Sequence, residues 1–261
     1  MDNRNIYQTS YDYLLKISKG VVAKEEIDFF IDQCDGNNIS SIEDAFELLM
    51  SILQDFQMYP KVIKYNERKN DIKEAIHFPN LNFCTNLDAT ELSQYFIKKY
   101  NSNSKVCWYR YCKGIISAAK FLSQFKDYNE FKSVCDSFDS NDVTREAFAL
   151  LLQTKIDNMG FAIACNWLKE LGYINYPKPD VHMKDICQAL GLINEKRTDI
   201  DCFEAMVKVA RECNVEPYKL DKVWWLICSG NYYRYNIQLP NPQMNKTDFL
   251  DKISNKWNTF K

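Results

Sequence analysis

The chain has 261 residues, of which 46% are hydrophobic and 26% charged, a composition typical of a globular protein that folds in water as one large domain or two closely joined subdomains. It contains neither an apolar run of about eighteen residues nor a charged, then apolar leader, so we exclude a membrane span and a secretory signal and expect a cytoplasmic protein. A formal charge of −2 argues against binding nucleic acid through a strong basic excess, although a local basic face is compatible with it.

The amino-terminal part of the chain predicts core-building helices interrupted by one irregular segment. Apolar residues recur at helical spacing in residues 1–20, 24–34 and 41–56, and seven glycines and seven prolines are few for this length. From residue 57 to 87 the pattern breaks, which predicts a long irregular insertion with one short helix or strand pair. Such an insertion is either a plain surface loop or part of a binding site. A helix over 88–100 follows it.

The central part predicts a helical hairpin. After helices over 106–125 and 128–138, apolar spacing predicts a helix, a very short turn and a second helix between residues 144 and 172. The turn, from Asp157 to Gly160, offers a glycine suited to a positive φ and an Asn/Asp pair suited to capping. Backbone N–H groups at the start of the second helix suit a phosphate, and the alternative is an ordinary αα-corner.

An extended connector leads out of the hairpin. Pro177 and Pro179 flank Lys178, and each proline disfavours the α-region for the residue before it. Asp180 follows at the start of another helix, where an aspartate is commonly an N-cap. The connector therefore delivers a carboxylate to a helix start, where the helix dipole favours the anion.

The carboxy-terminal part predicts three more helices. Two lie over 201–213 and 216–229, and Gly230 ends the second. The last, from about Lys246 to Trp257, is short and amphipathic, and we expect it to pack back on the amino-terminal helices. We divide the chain into a helical region with the insertion, a central core and a tail, with the boundaries 1–105, 106–230 and 231–261.

The cysteines and histidines predict no metal site, and we expect no cofactor. Ten cysteines occur without a C-x-x-C pair, at positions 34, 84, 107, 112, 135, 165, 187, 202, 213 and 228. Because most fall on apolar helix faces, buried free thiols in a reducing compartment explain them better than disulfides. With His77 and His182 as the two histidines, a histidine-rich metal site is excluded.

Two segments resemble a known family. The run MGFAIACNWL from Met159, followed by PKPDVHMKDICQALGL from Pro177, resembles the hairpin, connector and catalytic-aspartate segment of the helix-hairpin-helix DNA glycosylases, especially the 8-oxoguanine branch with its Val-Asp-Val-His run. The chain departs from that run at Pro179. The resemblance covers 144–192 and, more loosely, 106–230. It implies an all-α helical bundle of two closely joined subdomains with a helix-hairpin-helix DNA-binding motif.

The resemblance implies roles for particular residues. Asp180 is the carboxylate that stabilises the sugar cation formed when an N-glycosidic bond breaks. His182 contacts a phosphate next to the target nucleotide. The hairpin contacts double-stranded DNA through Asn158, Met159, Gly160 and Ala162.

A flipped base needs a planar surface to stack on. An aromatic cluster stands upstream of the hairpin, formed by Trp108, Tyr109 and Tyr111. These rings are candidates for the base pocket, and the alternative is that they belong to the core. The insertion at 57–87 is a second candidate for a DNA-contacting or pocket-forming element.

Two departures from the family's patterns refine the hypothesis. Bifunctional members carry a lysine at the start of the second hairpin helix, which forms a Schiff base with the sugar. Ala162 stands at that position, so we predict a monofunctional enzyme, although a shifted alignment could place Lys155 or Lys178 there. Some members carry a four-cysteine iron–sulfur loop, and the cysteines at 187, 202, 213 and 228 are spaced too widely for one.

The functional hypothesis is a monomeric, monofunctional DNA glycosylase that flips a base out of duplex DNA and leaves an abasic site. Two substrates fit it. One is a hypermodified base of phage DNA, such as glucosylated hydroxymethylcytosine, removed in antiviral defence, and this one is slightly favoured by the missing lysine and the divergent amino-terminal half. The other is an oxidised or alkylated base in housekeeping repair. The competing class is a non-catalytic DNA- or protein-binding module in which Asp180 is only a cap.

Overall fold

A computed structural model describes residues 4–33, 39–56, 59–194, 197–233 and 235–257, and it confirms the all-α class. The helices are α1 (Ile6–Ser18), α2 (Lys24–Asp32), α3 (Ile42–Ile52), α4 (Tyr59–Ile63), α5 (Tyr65–Ala75), α6 (Leu81–Thr85), α7 (Ala89–Lys99), α8 (Lys105–Leu122), α9 (Tyr128–Phe138), α10 (Asp142–Lys155), α11 (Phe161–Glu170), α12 (Val181–Ala189), α13 (Asp199–Glu212), α14 (Pro217–Ser229) and α15 (Pro242–Trp257). Two short strands, β1 (Asn231–Tyr232) and β2 (Ile237–Gln238), pair antiparallel.

The chain divides into two compact units. The central unit is Asp35–Leu171, and the split unit combines Met1–Cys34 with Gly172–Lys261. This division differs from the predicted segments because α1 and α2 belong with the carboxy-terminal helices, a long-range association that helical periodicity does not encode. Cys34 and residues 258–261 lie outside the described residues.

The central unit is built around α8, which packs against α3, α6, α7 and α10. The buried side of α8 carries Trp108 and Tyr111, and its Gly114 is also buried. Local sequence sets the helix starts, since Ser41 caps α3 by accepting a hydrogen bond from the backbone N–H of Asp44 at 3.0 Å. These helices form the frame against which α10 and α11 are held.

The predicted irregular insertion is helical, which corrects the interpretation of residues 57–87. Three helices, α4, α5 and α6, occupy most of its described part. The most polar of them, α5, buries Tyr65 and Ile72 and leaves most of its surface in water. A helix with so narrow an apolar stripe has a weak periodic signal, and packing against the rest of the unit stabilises it.

The split unit has its own apolar core around α14. Trp224 of α14 donates from Nε1 to Ser10 Oγ of α1 at 3.0 Å, and both side chains are fully buried. The tail helix α15 packs mainly on α14 and α12, and it contacts α1 where the Tyr13 hydroxyl donates to the Asn245 carbonyl oxygen at 2.9 Å. Gly230 ends α14 with a φ of 63°. This core supports α12, the helix that begins after Asp180.

None of the helices in the described ranges is long and apolar enough to cross a membrane.

Candidate functional site

The hairpin turn between α10 and α11 is formed without the positive φ predicted for Gly160. Asn158 adopts the left-handed conformation instead, with a φ of 61°, and Gly160 has a φ of −80° and is the N-cap of α11. Asparagine tolerates this region better than most residues, which explains the exchange. The predicted Asn/Asp capping is also absent, since no side chain caps α11 at Gly160.

The turn is fixed to α8 through Asp157. The backbone N–H of Asp157 donates to Ser117 Oγ at 2.8 Å, and its Oδ1 is 2.9 Å from the Lys113 ammonium nitrogen. Gly114 lies beside it, where an added Cβ would be 2.9 Å from the Asp157 carbonyl oxygen. The helical periodicity of the sequence does not distinguish Gly114 from its neighbours. A glycine inside the otherwise helical pattern at 106–125 is nevertheless a signal for a close backbone approach.

The start of α11 is open. A Cβ added to Gly160 would meet no atom within 4 Å. Neither φ nor crowding therefore requires glycine at this position, and a glycine at an uncrowded helix start leaves the backbone accessible to a ligand. The Ile163 N–H donates to the Gly160 carbonyl oxygen at 2.9 Å, and the N-cap provides no side-chain oxygen for the amides before it.

Other predicted contacts of the hairpin are less accessible. Met159 is buried, and its N–H donates to the Ile156 carbonyl oxygen at 3.3 Å, so this residue serves the turn itself. The Asn158 side chain is half-buried, and its Nδ2 has no partner among the described residues. Ala162 is half-buried, as is Gly160, so both residues reach the surface at this helix start.

A basic groove lies beside the turn, with a volume of about 480 Å³. It is lined by Tyr109, Lys113, Lys120 and Lys155, and Asp88 and Asp157 also reach it. The Lys113 charge is paired with Asp157, whereas Lys120 and Lys155 are exposed. The groove supplies a local basic face on a chain with a small negative charge.

The structure corrects two of the three base-pocket predictions. Trp108 and Tyr111 are fully buried and belong to the core of the central unit. Trp108 stacks on Phe96 with ring centroids 4.9 Å apart, and the Tyr111 hydroxyl donates to the Met50 carbonyl oxygen at 2.9 Å. Positions three apart on a helix share one face, which here is the packed face of α8. Tyr109 points away from it and is 42% exposed.

A buried carboxylate fixes the connector before Asp180. Asp221 of α14 accepts the backbone N–H of Lys178 on Oδ2 at 3.1 Å, and the Asp180 N–H donates to the Lys178 carbonyl oxygen at 2.9 Å. Pro177 and Pro179 are buried on either side. The backbone is therefore held at the point where it delivers Asp180.

Asp180 caps α12 with one of its two carboxylate oxygens. Oδ1 accepts the N–H groups of His182 at 2.8 Å and Met183 at 3.3 Å, which confirms the predicted cap. Oδ2 accepts no hydrogen bond from the described residues, and the side chain is half-buried. The cap thus orients the carboxylate through one oxygen and leaves the other without a partner among the described residues.

An ionic network surrounds His182. The Lys246 ammonium of α15 is 2.6 Å from Asp185 Oδ2 and 3.2 Å from His182 Nδ1, and Arg197 Nη1 donates to Asp185 Oδ1 at 2.6 Å. Burial lowers the pKa of His182. Burial raises the pKa of Asp185, but its hydrogen bonds with Lys246 and Arg197 outweigh this effect and the pKa lies below its usual value.

The two side chains that flank His182 differ in their burial. Met183 is fully buried. Val181, the first residue of α12, is 60% exposed. Leu150 and Leu151 of α10 are also exposed.

The two alternative lysines have different surroundings. Lys155 is exposed at the end of α10, and Lys178 is half-buried in the connector.

The described residues contain no group of His, Cys, Asp and Glu side chains that could hold a metal ion. Cys187 and Cys202 are buried together with their sulfur atoms 3.9 Å apart, and burial raises the pKa of the Cys228 thiol to about 12.

Two crystal structures have a similar fold. Methanocaldococcus jannaschii 8-oxoguanine glycosylase/lyase, in complex with a 15mer DNA containing 8-oxoguanine, matches with a TM-score of 0.55 and 16% identity over 83% of this chain and 95% of that chain. The 8-oxoguanine DNA glycosylase of the same organism, in a second structure, matches with a TM-score of 0.56 and 17% identity over 88% of this chain and 99% of that chain. No protein-family model and no curated protein matches the sequence.

At this level of identity the likeness shows the fold alone, which is the all-α fold of these two structures. The chemistry of the site depends on the residues of the chain itself.

Proposed function

We propose that the chain is a DNA glycosylase that uses Asp180 to break the N-glycosidic bond of a nucleotide in double-stranded DNA. The observation that carries this proposal is that the two carboxylate oxygens of Asp180 differ in their hydrogen bonding. Oδ1 is fixed by two backbone N–H groups, and Oδ2 has no partner among the described residues. A catalytic carboxylate needs a fixed orientation together with a free oxygen, and this arrangement supplies both.

In the proposed reaction the target nucleotide is flipped out of the duplex, and its C1′–N bond breaks while positive charge develops on the sugar. The anionic carboxylate of Asp180 lies beside this charge and stabilises it. A water oxygen then bonds to C1′, and the base leaves with the electron pair of the broken bond and a proton. The products are the free base and an abasic site.

The hairpin would bind the DNA backbone. Gly160 and Ala162 present an uncapped helix start with open space around the glycine, and such a helix end attracts phosphate. Lys120 and Lys155 in the basic groove beside the turn add exposed positive charge. Together they provide phosphate contacts despite the negative formal charge of the chain.

The absence of a lysine at Ala162 supports hydrolysis by water without lyase activity. A methyl group has no amine to form a Schiff base with the sugar. Borohydride trapping with abasic-site DNA checks this directly. A covalent adduct would contradict monofunctional action. Loss of that adduct in Lys155→Gln or in Lys178→Gln would then identify which lysine supplies the amine.

Two substrate classes remain candidates. Hypermodified bases of phage DNA, such as glucosylated hydroxymethylcytosine, fit the divergent amino-terminal half, and this role would be antiviral. Oxidised bases are favoured by the likeness to two 8-oxoguanine glycosylase structures. A panel of duplexes that each contain one modified base, followed by alkali, decides between them by which duplex is cleaved.

The central test compares the wild type with Asp180→Asn on this panel. We expect alkali-labile sites with the wild type and a loss of at least about a thousandfold with the variant, because asparagine keeps the cap but lacks the charge. Asp127→Asn is a matched control, since Asp127 also caps a helix, by accepting the Glu130 N–H at 3.0 Å. If the wild type and both variants bind DNA but release no base from any duplex, the chain is a non-catalytic DNA-binding module.

A further inference from the structure

Lys246 lies within hydrogen-bonding distance of one ring nitrogen of His182. Its ammonium nitrogen lies 3.2 Å from His182 Nδ1 and 2.6 Å from Asp185 Oδ2, and its side chain is only 12% exposed. An ammonium group has three donors and no acceptor. Nδ1 must therefore accept this hydrogen bond through its lone pair. The ring is then neutral, with its proton on Nε2.

The position of Lys246 is itself fixed. Asp185 accepts from Lys246 on Oδ2 and from Arg197 on Oδ1, both at 2.6 Å. This carboxylate is thus held from two sides, and it holds the ammonium against the imidazole. A lysine on an exposed surface would sample many rotamers, whereas this one is confined by burial and by its ion pair.

The charged groups around His182 agree with a neutral ring. Asp180 and Asp185 face it from its own segment, Lys178 from the connector and Lys246 from α15. Burial is the largest influence and lowers the pKa of His182, the two lysines lower it further, and the two carboxylates oppose them. The net shift is downward, so the imidazolium is disfavoured at neutral pH.

We propose that Lys246 is a positioning residue that locks His182 as the neutral Nε2–H tautomer and thereby presents a fixed hydrogen-bond donor to a DNA phosphate. Nε2 has no partner among the described residues, which leaves it for a group from outside the chain. The tautomer depends on the geometry alone. Its use on DNA rests on the proposed function.

The tautomer can be measured on the full chain without DNA. The sequence contains two histidines, so His77→Gln leaves His182 as the one imidazole in long-range ¹H–¹⁵N spectra. We expect a neutral ring with an unprotonated Nδ1 at about pH 7. A spectrum of an imidazolium or of the Nδ1–H tautomer would overturn the proposal. Because this measurement uses the His77→Gln protein alone, it stands even if a Lys246 variant fails to fold.

Two variants separate positioning from simple packing. Lys246→Met keeps the length and apolar stem but removes the donor, so we expect a mixture of tautomers and a higher pKa of His182. Lys246→Arg keeps a donor that cannot accept, and we expect it to preserve the Nε2–H tautomer. If both variants leave the tautomer and the pKa of His182 unchanged, Lys246 does not position the ring.

A binding measurement tests the role on DNA. In the His77→Gln background, lowering the pH from about 8 to about 6 should steepen the dependence of duplex affinity on salt less with Lys246 present than with Lys246→Met, because Lys246 disfavours the imidazolium. Full protonation of His182 would add about 0.9 to the log–log slope. Equal slopes in the variant would refute the phosphate contact while leaving the tautomer result intact. Failure of base release on every duplex would refute the proposed function separately.

Discussion

The backbone of Asp157 in the hairpin turn lies directly against Gly114 of α8. A Cβ atom on Gly114 would stand 2.9 Å from the Asp157 carbonyl oxygen and 3.3 Å from Leu53 Cδ1. The adjacent N–H of Asp157 donates to Ser117 Oγ at 2.8 Å. A hydrogen at position 114 therefore permits the closest approach of the turn to α8, and the turn's position depends on it.

Gly114→Ala should destabilise the protein. Alanine is the better helix former by up to about 1 kcal/mol, but a methyl group at 2.9 Å from a backbone oxygen forces the turn or the helix to move. Overpacking of this kind costs about 1–3 kcal/mol, so the free energy of unfolding in urea should fall. An unchanged or higher stability would show that the turn moves away from α8 without cost.

Gly160→Ala should leave stability almost unchanged and weaken DNA binding. The added Cβ meets no atom within 4 Å, and φ is already −80°, so the change in unfolding free energy should stay below about 1 kcal/mol. The methyl group would keep a phosphate away from the helix start, and the loss of a hydrogen bond to a charged group should weaken affinity at least about tenfold. Titration of a labelled duplex measures this effect. Equal affinity of the wild type and Gly160→Ala would show that Gly160 is not part of the DNA interface.

Asp180→Asn and Asp180→Ala should both lack base-releasing activity, but they should differ in stability. Asparagine caps as well as aspartate, so the first variant should unfold within about 0.5 kcal/mol of the wild type. Alanine removes the acceptor of the His182 and Met183 amides and should cost about 1 kcal/mol. Urea denaturation measures both variants. Equal stability of all three proteins would mean that the Oδ1 hydrogen bonds do not stabilise α12.

Asp185→Asn should lower stability at neutral pH and lose its effect in acid. The folded-state pKa of Asp185 lies below its usual value, so its ionised form stabilises the fold above about pH 4, and this contribution is lost as the pH falls through the folded-state pKa. Losing hydrogen bonds to Lys246 and Arg197 should cost about 1–3 kcal/mol at about pH 7. Denaturation curves of both proteins from neutral to acid pH should therefore converge. A difference that persists in acid would point to packing rather than charge.

Ala162→Lys should introduce lyase activity if the hairpin is aligned correctly. Ala162 is half-buried at the start of α11, where a longer side chain has access to solvent. A lysine there supplies the amine that bifunctional glycosylases use. We expect a borohydride-trapped adduct with abasic-site DNA from this variant and none from the wild type. Trapping by neither protein would show that position 162 does not face the sugar.

The sequence by itself determined the features that depend on neighbouring residues. The Asp180 cap, the stop of α14 at Gly230 and the reversal between α10 and α11 were all predictable, because caps and turns satisfy backbone groups within a few residues. The resemblance of the hairpin and the Asp180 segment was visible for the same reason. The positive φ in the turn was predicted for Gly160 but occurs at Asn158, since either residue can adopt that conformation.

Tertiary structure alone decided which faces of the helices are buried and which distant residues meet. Trp108 and Tyr111 became core while Tyr109 stayed exposed, because the burial of a helix face depends on which other helices pack against it. The approach of Gly114 to Asp157 and the contact of Lys246 with His182 join residues far apart in the chain. Such contacts form only when the fold brings separate helices together, so no local pattern in the sequence could reveal them.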